Sequence, residues 1–570
     1  MDLQRTLLIG AIAVLSFMLL SEWVAFKDAK TQAATPPTTR LTQMSSVPAI
    51  STGDLPTAPA VAAGDTPELP EDLPTVPAAA PTAETDITVA SAPGNIVRVY
   101  TDELQLAIDL RGGDIVELAL VEHLESLEGQ PFILLEQNSA RIYVAQSGLI
   151  GPDGIDSNSR AQFTTDQSEY RLPPGTDSLE VKLHWANAEG LKVTKRFTFR
   201  RGLFLINVDY LVENGSEQRF QANLFGQLKR DSSPAPNADS GGMGIKPFLG
   251  AALTQPDERF SKFTFKEMQE EPFRQPLPGG WIAMIQHYFL SAWIPDPNQN
   301  HTYSTRVTSG GFNIAGFTSP ALVVLPGEKG EVSARFYAGP KDQYRLEKIS
   351  PFLDLSVDYG WLWWIAQPLF WLLTKIHGFV GNWGFAIILL TVLIKGVFFK
   401  LSATSYRSMA NMRRVTPKLQ DIRERYADDK AKQSQAMMDL YRKEKINPMG
   451  GCLPILVQMP VFIALYWVLM ESVELRHAPF ILWIRDLSVM DPYFVLPLLM
   501  GASMWFMQKL NPTPPDPMQA KIMQWMPVVM TFFFLWFPAG LVLYWVVNNL
   551  LSMAQQWVIT RQIEKQSAAA

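Results

Sequence analysis

The sequence predicts a multi-domain membrane protein: an α-helical transmembrane core of six spans, an all-β sandwich outside the membrane and a cytoplasmic helical hairpin. Three features of the chain lead there. Apolar residues concentrate at residues 6–26 and again after residue 351. Between them, residues 93–345 alternate apolar and polar with a period of two, broken by Gly, Pro, Asn and Asp. A short connection between two later apolar runs, Ala403–Met449, carries eleven Lys and Arg, the charge bias of a cytoplasmic loop.

Thr6–Phe26 is long and apolar enough to cross a bilayer. No small-x-small cleavage site follows it directly and Lys27-Asp28 does, so residues 1–26 are expected to be an uncleaved anchor. Residues 27–92 are rich in Pro, Ala and Thr, cannot bury a core, and are expected to be a disordered linker. Residues 93–345 form the β domain, as in Leu104–Leu110, Leu179–Trp185, Lys192–Phe199 and Leu203–Val212, with turns at Glu213–Ser216 and Pro326–Gly330. The run Ser240–Gly244 has no strand–helix context and is expected to be a loop. Residues 350–380 hold Trp361, Trp363, Trp364 and Trp371, interrupted by Gln367, Pro368, Lys375 and His377. Tryptophan favours the headgroup level, so an amphipathic helix along the membrane surface is expected.

Spans are expected at 383–402, 453–471, 492–508, 521–537 and 539–558, with a tail at 559–570. With the basic 403–449 segment inside, both termini are cytoplasmic and the β domain lies outside. Within that segment Met412, Val415, Leu419, Ile422 and Tyr426 are spaced 3, 4, 3, 4, the seam of a helix packing on a helix. Met437, Leu440 and Tyr441 supply the facing stripe, and Asp428-Asp429 can cap the second helix. Arg413, Arg414, Lys418, Arg423, Arg425 and Lys430 make its outer face basic. That face is either a solvated surface or a landing pad for RNA-rich or acidic partners.

Lys395 is the lone charge well inside the span 383–402. At the middle of a membrane helix such a charge costs about 2.5–3.5 kcal/mol, so it needs a wet cavity, a partner or a route to the interface by snorkelling. The remaining polar residues of the spans are single neutral groups, among them Thr391, Gln458, Ser503, Gln524, Thr531, Asn548, Asn549, Ser552, Gln555 and Gln556. One cation among neutral amides and hydroxyls suits a hydrated cavity; singly, each such group more often glues helices together.

Several chemistries are excluded. The lone Cys452 rules out an internal disulfide or a cysteine metal site, and the six histidines show no metal-ligand spacing. A net charge of −6 argues against a nucleic-acid binder. No phosphate-binding loop, zinc-protease motif or hydrolase elbow occurs, so neither an enzyme nor a cofactor is expected. Two classes remain: a device that handles polypeptide at the membrane, and a solute transporter or channel with an external binding domain. The absence of internal repeats and of carboxylates deep in the spans favours the first.

Three stretches carry a resemblance: Asn447–Pro460 (Asn-Pro-Met-Gly-Gly-Cys-Leu-Pro-Ile-Leu-Val-Gln-Met-Pro), Val473–Pro479 (Val-Glu-Leu-Arg-His-Ala-Pro) and Phe534–Tyr544 (Phe-Leu-Trp-Phe-Pro-Ala-Gly-Leu-Val-Leu-Tyr). From about residue 350 to 560 the chain resembles the YidC-type membrane protein insertases, and the segments before it resemble the Gram-negative form. The resemblance implies five core spans around a hydrophilic groove, a periplasmic β-supersandwich and a location in the bacterial inner membrane. It implies nascent membrane proteins as substrates, with the Sec translocon and its accessory subunits, the translating ribosome and the lipid bilayer as partners. The groove residues expected are Lys395, which matches the family's groove charge, with Thr391, Gln458, Gln524, Asn548, Ser552, Tyr544 and Trp545. The family's groove charge is commonly Arg; Lys395 keeps the charge but lacks the bidentate fork. The short tail ending Glu564–Ala570 is barely basic, which leaves ribosome contact to the hairpin.

Overall fold

The computed structural model describes residues 95–236, 247–444, 453–510 and 517–568, all within one compact unit. The expected anchor 1–26, the linker 27–92, the run Ser240–Gly244 and the start of the Asn447–Pro460 motif, 447–452, lie outside the described residues.

Alternation builds the β half. In the strand Ser178–Ala186, Val181 and Leu183 are buried while Glu180, Lys182 and His184 point away from the core, as a strand with one face on a core requires. Among the described residues two sheets result, one of ten strands and one of eight. A period of two with frequent turns predicts an antiparallel sandwich, and one pairing departs from it. Ile96–Tyr100 pairs in parallel with Glu169–Arg171, because the long connection after Ile150 lets the chain re-enter at that edge in the same direction. Between the sheets Trp293 meets Phe317 with ring centroids 6.3 Å apart. Gly226 lies beneath both rings, and a Cβ there would strike them.

The β half also contains two short helices that alternation does not reveal, α1 (Phe265–Glu270) and α2 (Gln343–Ile349). The first is announced by a capping box, Thr264 with Glu267. The second straddles the expected domain end at residue 345.

After two 3₁₀ turns the helical half begins with α3 (Trp363–Val380). It buries Ala366, Phe370 and Leu373 and leaves Trp363, Trp364 and Trp371 exposed. Next come α4 (Trp383–Val397), α5 (Phe399–Arg425) and α6 (Lys430–Lys443). They are followed by α7 (Leu453–Glu471), α8 (Val495–Leu510), α9 (Pro517–Phe534) and α10 (Ala539–Ala568).

Several boundaries differ from expectation, among them α8, which runs Val495–Leu510 in place of 492–508. The expected span 383–402 breaks at Phe398, and α4 and α5 meet at 67°. The helix of 539–558 continues unbroken through most of the expected tail. In place of the expected span 521–537, α9 starts earlier, at Pro517, and stops earlier, at Phe534, because Leu535–Phe537 already form the turn that leads to Pro538. Among the described residues no single helix is long and apolar enough to cross a membrane alone; the bent pair Trp383–Val397 with Phe399–Met409 qualifies together.

The helical hairpin forms on the expected seam. Val415 and Leu419 are buried and Met412, Ile422, Tyr426, Met437, Leu440 and Tyr441 are half-buried. Asp429 caps α6 by accepting from the backbone N–H groups of Ala431 and Lys432.

Candidate functional site

The site is built where α4 ends. Asn382 starts that helix by accepting from the N–H of Phe385, and its amide donates to the carbonyls of Pro479 and Phe480. Lys395 falls in the last turn, just before the break at Phe398. The unpaired carbonyls at a helix C-terminus carry partial negative charge, which favours a cation there.

The Lys395 side chain is buried, and its Nζ donates to Ser552 Oγ at 2.7 Å and, more weakly, to Gln458 Oε1 at 3.4 Å. Ser552 in turn donates to the carbonyl of Asn548 at 2.7 Å. Three helices, α4, α7 and α10, thus meet at one ammonium. Among the described residues no carboxylate lies within ion-pair reach of it; both its partners are neutral oxygens. A buried cation held this way keeps its positive charge uncancelled.

The other residues expected at the site divide. Thr391 is buried, but its hydroxyl bonds the carbonyl of Ile387 within its own helix at 2.7 Å rather than Lys395. Tyr544 and Trp545 face Phe462 of α7, Tyr544 stacked at 6.1 Å and Trp545 edge-on at 4.5 Å. The indole N–H of Trp545 is buried with no acceptor among the described residues. Gln524 stands exposed on α9 and makes no hydrogen bond among the described residues, so it does not join the Lys395 cluster. Asn549, another of the neutral polar groups, ties α10 to α8 through Ser503 Oγ at 3.0 Å, a helix-gluing role.

Sequence reasoning did not single out two residues beside the Lys395 cluster. Tyr406 of α5 lies beside Ser552, which brings the arm leading to the hairpin next to the Lys395 cluster. Its place in a polar segment outside the expected span gave no signal. Gln555 of α10, expected only as one neutral group among many, donates to the carbonyl of Phe399 at 3.2 Å, beside the break. Spacing along α10 could have singled it out, since it lies about one helical turn from Ser552. At the hairpin, Arg414, Lys418 and Arg425 are exposed and Arg423 is half-buried. Lys418 bridges the two helices to Glu444 at 2.6 Å. The side chains of Arg413 and Lys430 lie outside the described residues.

In the helical half α4 leaves Phe385, Leu389, Val392 and Leu393 exposed, and α9 leaves Ile522, Trp525, Val528, Val529 and Phe532 exposed. Exposed apolar faces of this extent mark a surface built for lipid or for apolar polypeptide.

Two family descriptions match the chain in succession: the YidC periplasmic domain over residues 96–372 and the 60Kd inner membrane protein over 375–566. A membrane protein insertase YidC from Marinomonas sp. (strain MWYL1) is 49% identical, covering 100% of both chains. Another, from Stutzerimonas stutzeri (strain A1501), is 51% identical over 99% of each. The chain belongs to the YidC family of membrane protein insertases.

A solved structure described as an active YidC insertase with its first transmembrane domain resolved is similar at 18% identity and a TM-score of 0.37, covering 81% of this chain and 92% of that one. In YidC terms the two-sheet half is the periplasmic domain, and the helices from α4 onward fall within the inner-membrane portion. The YidC assignment removes the transporter alternative.

Proposed function

We propose that this protein inserts nascent membrane proteins into the inner membrane through a hydrated groove centred on Lys395. The uncancelled buried cation carries the reading: a lysine bonded only to neutral oxygens can still attract an acidic polar segment.

A substrate span of about 20 apolar residues at roughly −0.3 to −0.6 kcal/mol each gains about 6–12 kcal/mol on entering the bilayer, so no fuel is needed. The barrier is kinetic, because a polar tail must cross the hydrocarbon. In the proposed route the hairpin of α5 and α6 receives the segment, with Arg413, Arg414, Lys418, Arg423, Arg425 and Lys430 as its basic docking face. The tail enters beside Lys395, where Gln458, Ser552 and Asn548 lower its desolvation cost. Thr391 lines the approach, Tyr544 and Trp545 form the aromatic floor, and Gln524 waits on α9 at the lipid side. The apolar span leaves along the exposed faces of α4 and α7.

The topology that fits this route has six spans, five of them in the core, with both termini cytoplasmic. The bent pair α4–α5 is the span that ends in the groove, and α3 lies along the outer surface with its tryptophans at headgroup level. The partners are nascent substrates, the Sec translocon with its accessory subunits, the translating ribosome and lipid. Neither a cofactor nor sequence-specific nucleic acid enters.

The test is insertion into reconstituted vesicles. Lys395→Leu lowers insertion of acidic-tailed substrates by on the order of tenfold or more, equivalent to about 1.4 kcal/mol at the barrier. Lys395→Arg retains activity, because only a cation is required. Full activity of Lys395→Leu on acidic tails rejects the charge role.

A further inference from the structure

The β half and the helical half meet at a buried polar contact. Lys341, just ahead of α2, places its Nζ 2.6 Å from Oε2 of Glu471, and the two side chains are only 3% and 5% exposed. Nearby, His287 Nε2 lies 3.0 Å from the carbonyl of Met470. Arg476 donates to the carbonyls of Leu124 and Glu125, and its guanidinium lies 5.6 and 5.4 Å from the ring centroids of Phe132 and Phe289.

Glu471 is doubly unfavourable without Lys341. It is a carboxylate removed from water, and it is the last residue of α7, where the helix end is itself partially negative. Both costs are offset by a cation from the other half of the molecule. Breaking the pair from either side therefore leaves an unpaired charge buried where the outer end of α7 meets the β half. From there α7 runs inward through the buried residues Leu469, Val468, Leu465 and Ala464 to Phe462. Phe462 packs on Tyr544 and Trp545 of α10, the helix that carries Ser552.

We propose that Lys341 is a positioning residue for insertion: by holding Glu471, the periplasmic domain fixes α7 against α10 and so keeps the Lys395 cluster assembled. The inference rests on the groove reading above for what that cluster does.

The experiment uses the full chain in vesicles. Lys341→Met and Glu471→Leu each leave a buried charge unpaired, whereas the double variant leaves none. Each single variant is expected to lower insertion by on the order of tenfold, and the double to recover to within about twofold of the parent, the pattern of a coupled pair. Hydrogen exchange separates positioning from folding. Amides of residues 461–476 speed up in the single variants while those of the two sheets do not.

If a single variant loosens the sheets as well, the double variant decides: positioning predicts that its insertion and the exchange of residues 461–476 both return toward the parent. Wild-type insertion by the single variants, or no recovery in the double variant, overturns the proposal. If instead Lys395→Leu inserts acidic tails normally while Lys341→Met fails, the groove charge falls and the positioning role stands.

Discussion

At the scale of single residues, the fate of each charge depends on what replaces its lost water. Lys395 trades water for two neutral oxygens. Ser552 is the nearer of its two partners, so Ser552→Ala should destabilise the protein by about 1.5–3 kcal/mol, the usual worth of a hydrogen bond to a charged group. Thermal unfolding of the detergent-solubilised chain measures it; an unchanged midpoint would mean that Lys395 does not depend on that hydroxyl.

The histidines near the domain contact behave differently. Burial, aided by Arg476, lowers the pKa of His123 to about 4, and burial lowers that of His287 to about 4 despite Glu471 nearby. Burial also pushes Glu474 up to about 7. Both histidines hold their stability above their ordinary value of 6.5 and lose it as pH falls toward 4, since the unfolded chain takes up the proton first. Glu474 has the opposite sign: its contribution is full below 4.5 and is lost as pH rises toward 7. Two groups outweigh one between pH 6.5 and 4.5, so acidification across that window should lower the melting temperature of the full chain. A melting temperature that is flat or rising from about pH 7 to about pH 5 would contradict this balance.

At the scale of elements, glycines and breaks decide how helices meet. Gly501 of α8 sits directly against Thr531 of α9, and a Cβ there would collide with the threonine hydroxyl. Gly501→Val should therefore push α8 and α9 apart and cost about 1–3 kcal/mol. The thermal midpoint of the solubilised protein is the check. If the collision is the cause, adding Thr531→Ala to the Gly501→Val chain restores part of the loss; no restoration would place the damage elsewhere. The break between α4 and α5 matters in the same way. A straight helix through Phe398 would continue the backbone hydrogen bonds past Lys395 and remove the helix end next to it in the chain.

At the scale of the whole molecule, the β half is held by apolar packing between its sheets and by one buried charge cluster. Arg160 bridges Asp114 and Asp156, and Lys195 reaches from the other sheet to the carbonyls of Gly112, Gly113 and Ser147 at 3.0, 2.8 and 3.2 Å. Removing the guanidinium leaves two carboxylates buried without it, so Arg160→Met should cost about 3–5 kcal/mol. Denaturant unfolding followed by the buried Trp281 and Trp293 reports on that half, and a loss under about 1 kcal/mol would show that the cluster is dispensable. The cluster was not legible in the sequence. Its members lie up to 83 residues apart and leave no mark on the alternation that located the strands. The strands themselves were legible, because a period of two is written locally in runs such as Leu179–Trp185. So was the hairpin, whose 3–4 seam needs only its own neighbours.

Local pattern was enough for the division into a β half, a helical half and a basic hairpin, for the solitary cation at Lys395 and for the motifs that carry the family likeness. Each is a property of composition or of short-range period, and both are readable one segment at a time. Folding settled the rest: which polar groups reach the cation, that Thr391 turns to its own helix, and that Lys341 answers Glu471. The bonds from Lys395 to Ser552 and from Lys341 to Glu471 join residues 157 and 130 positions apart, and their strength comes from burial. Burial is a property of the packed chain, so no short run of residues could have announced them.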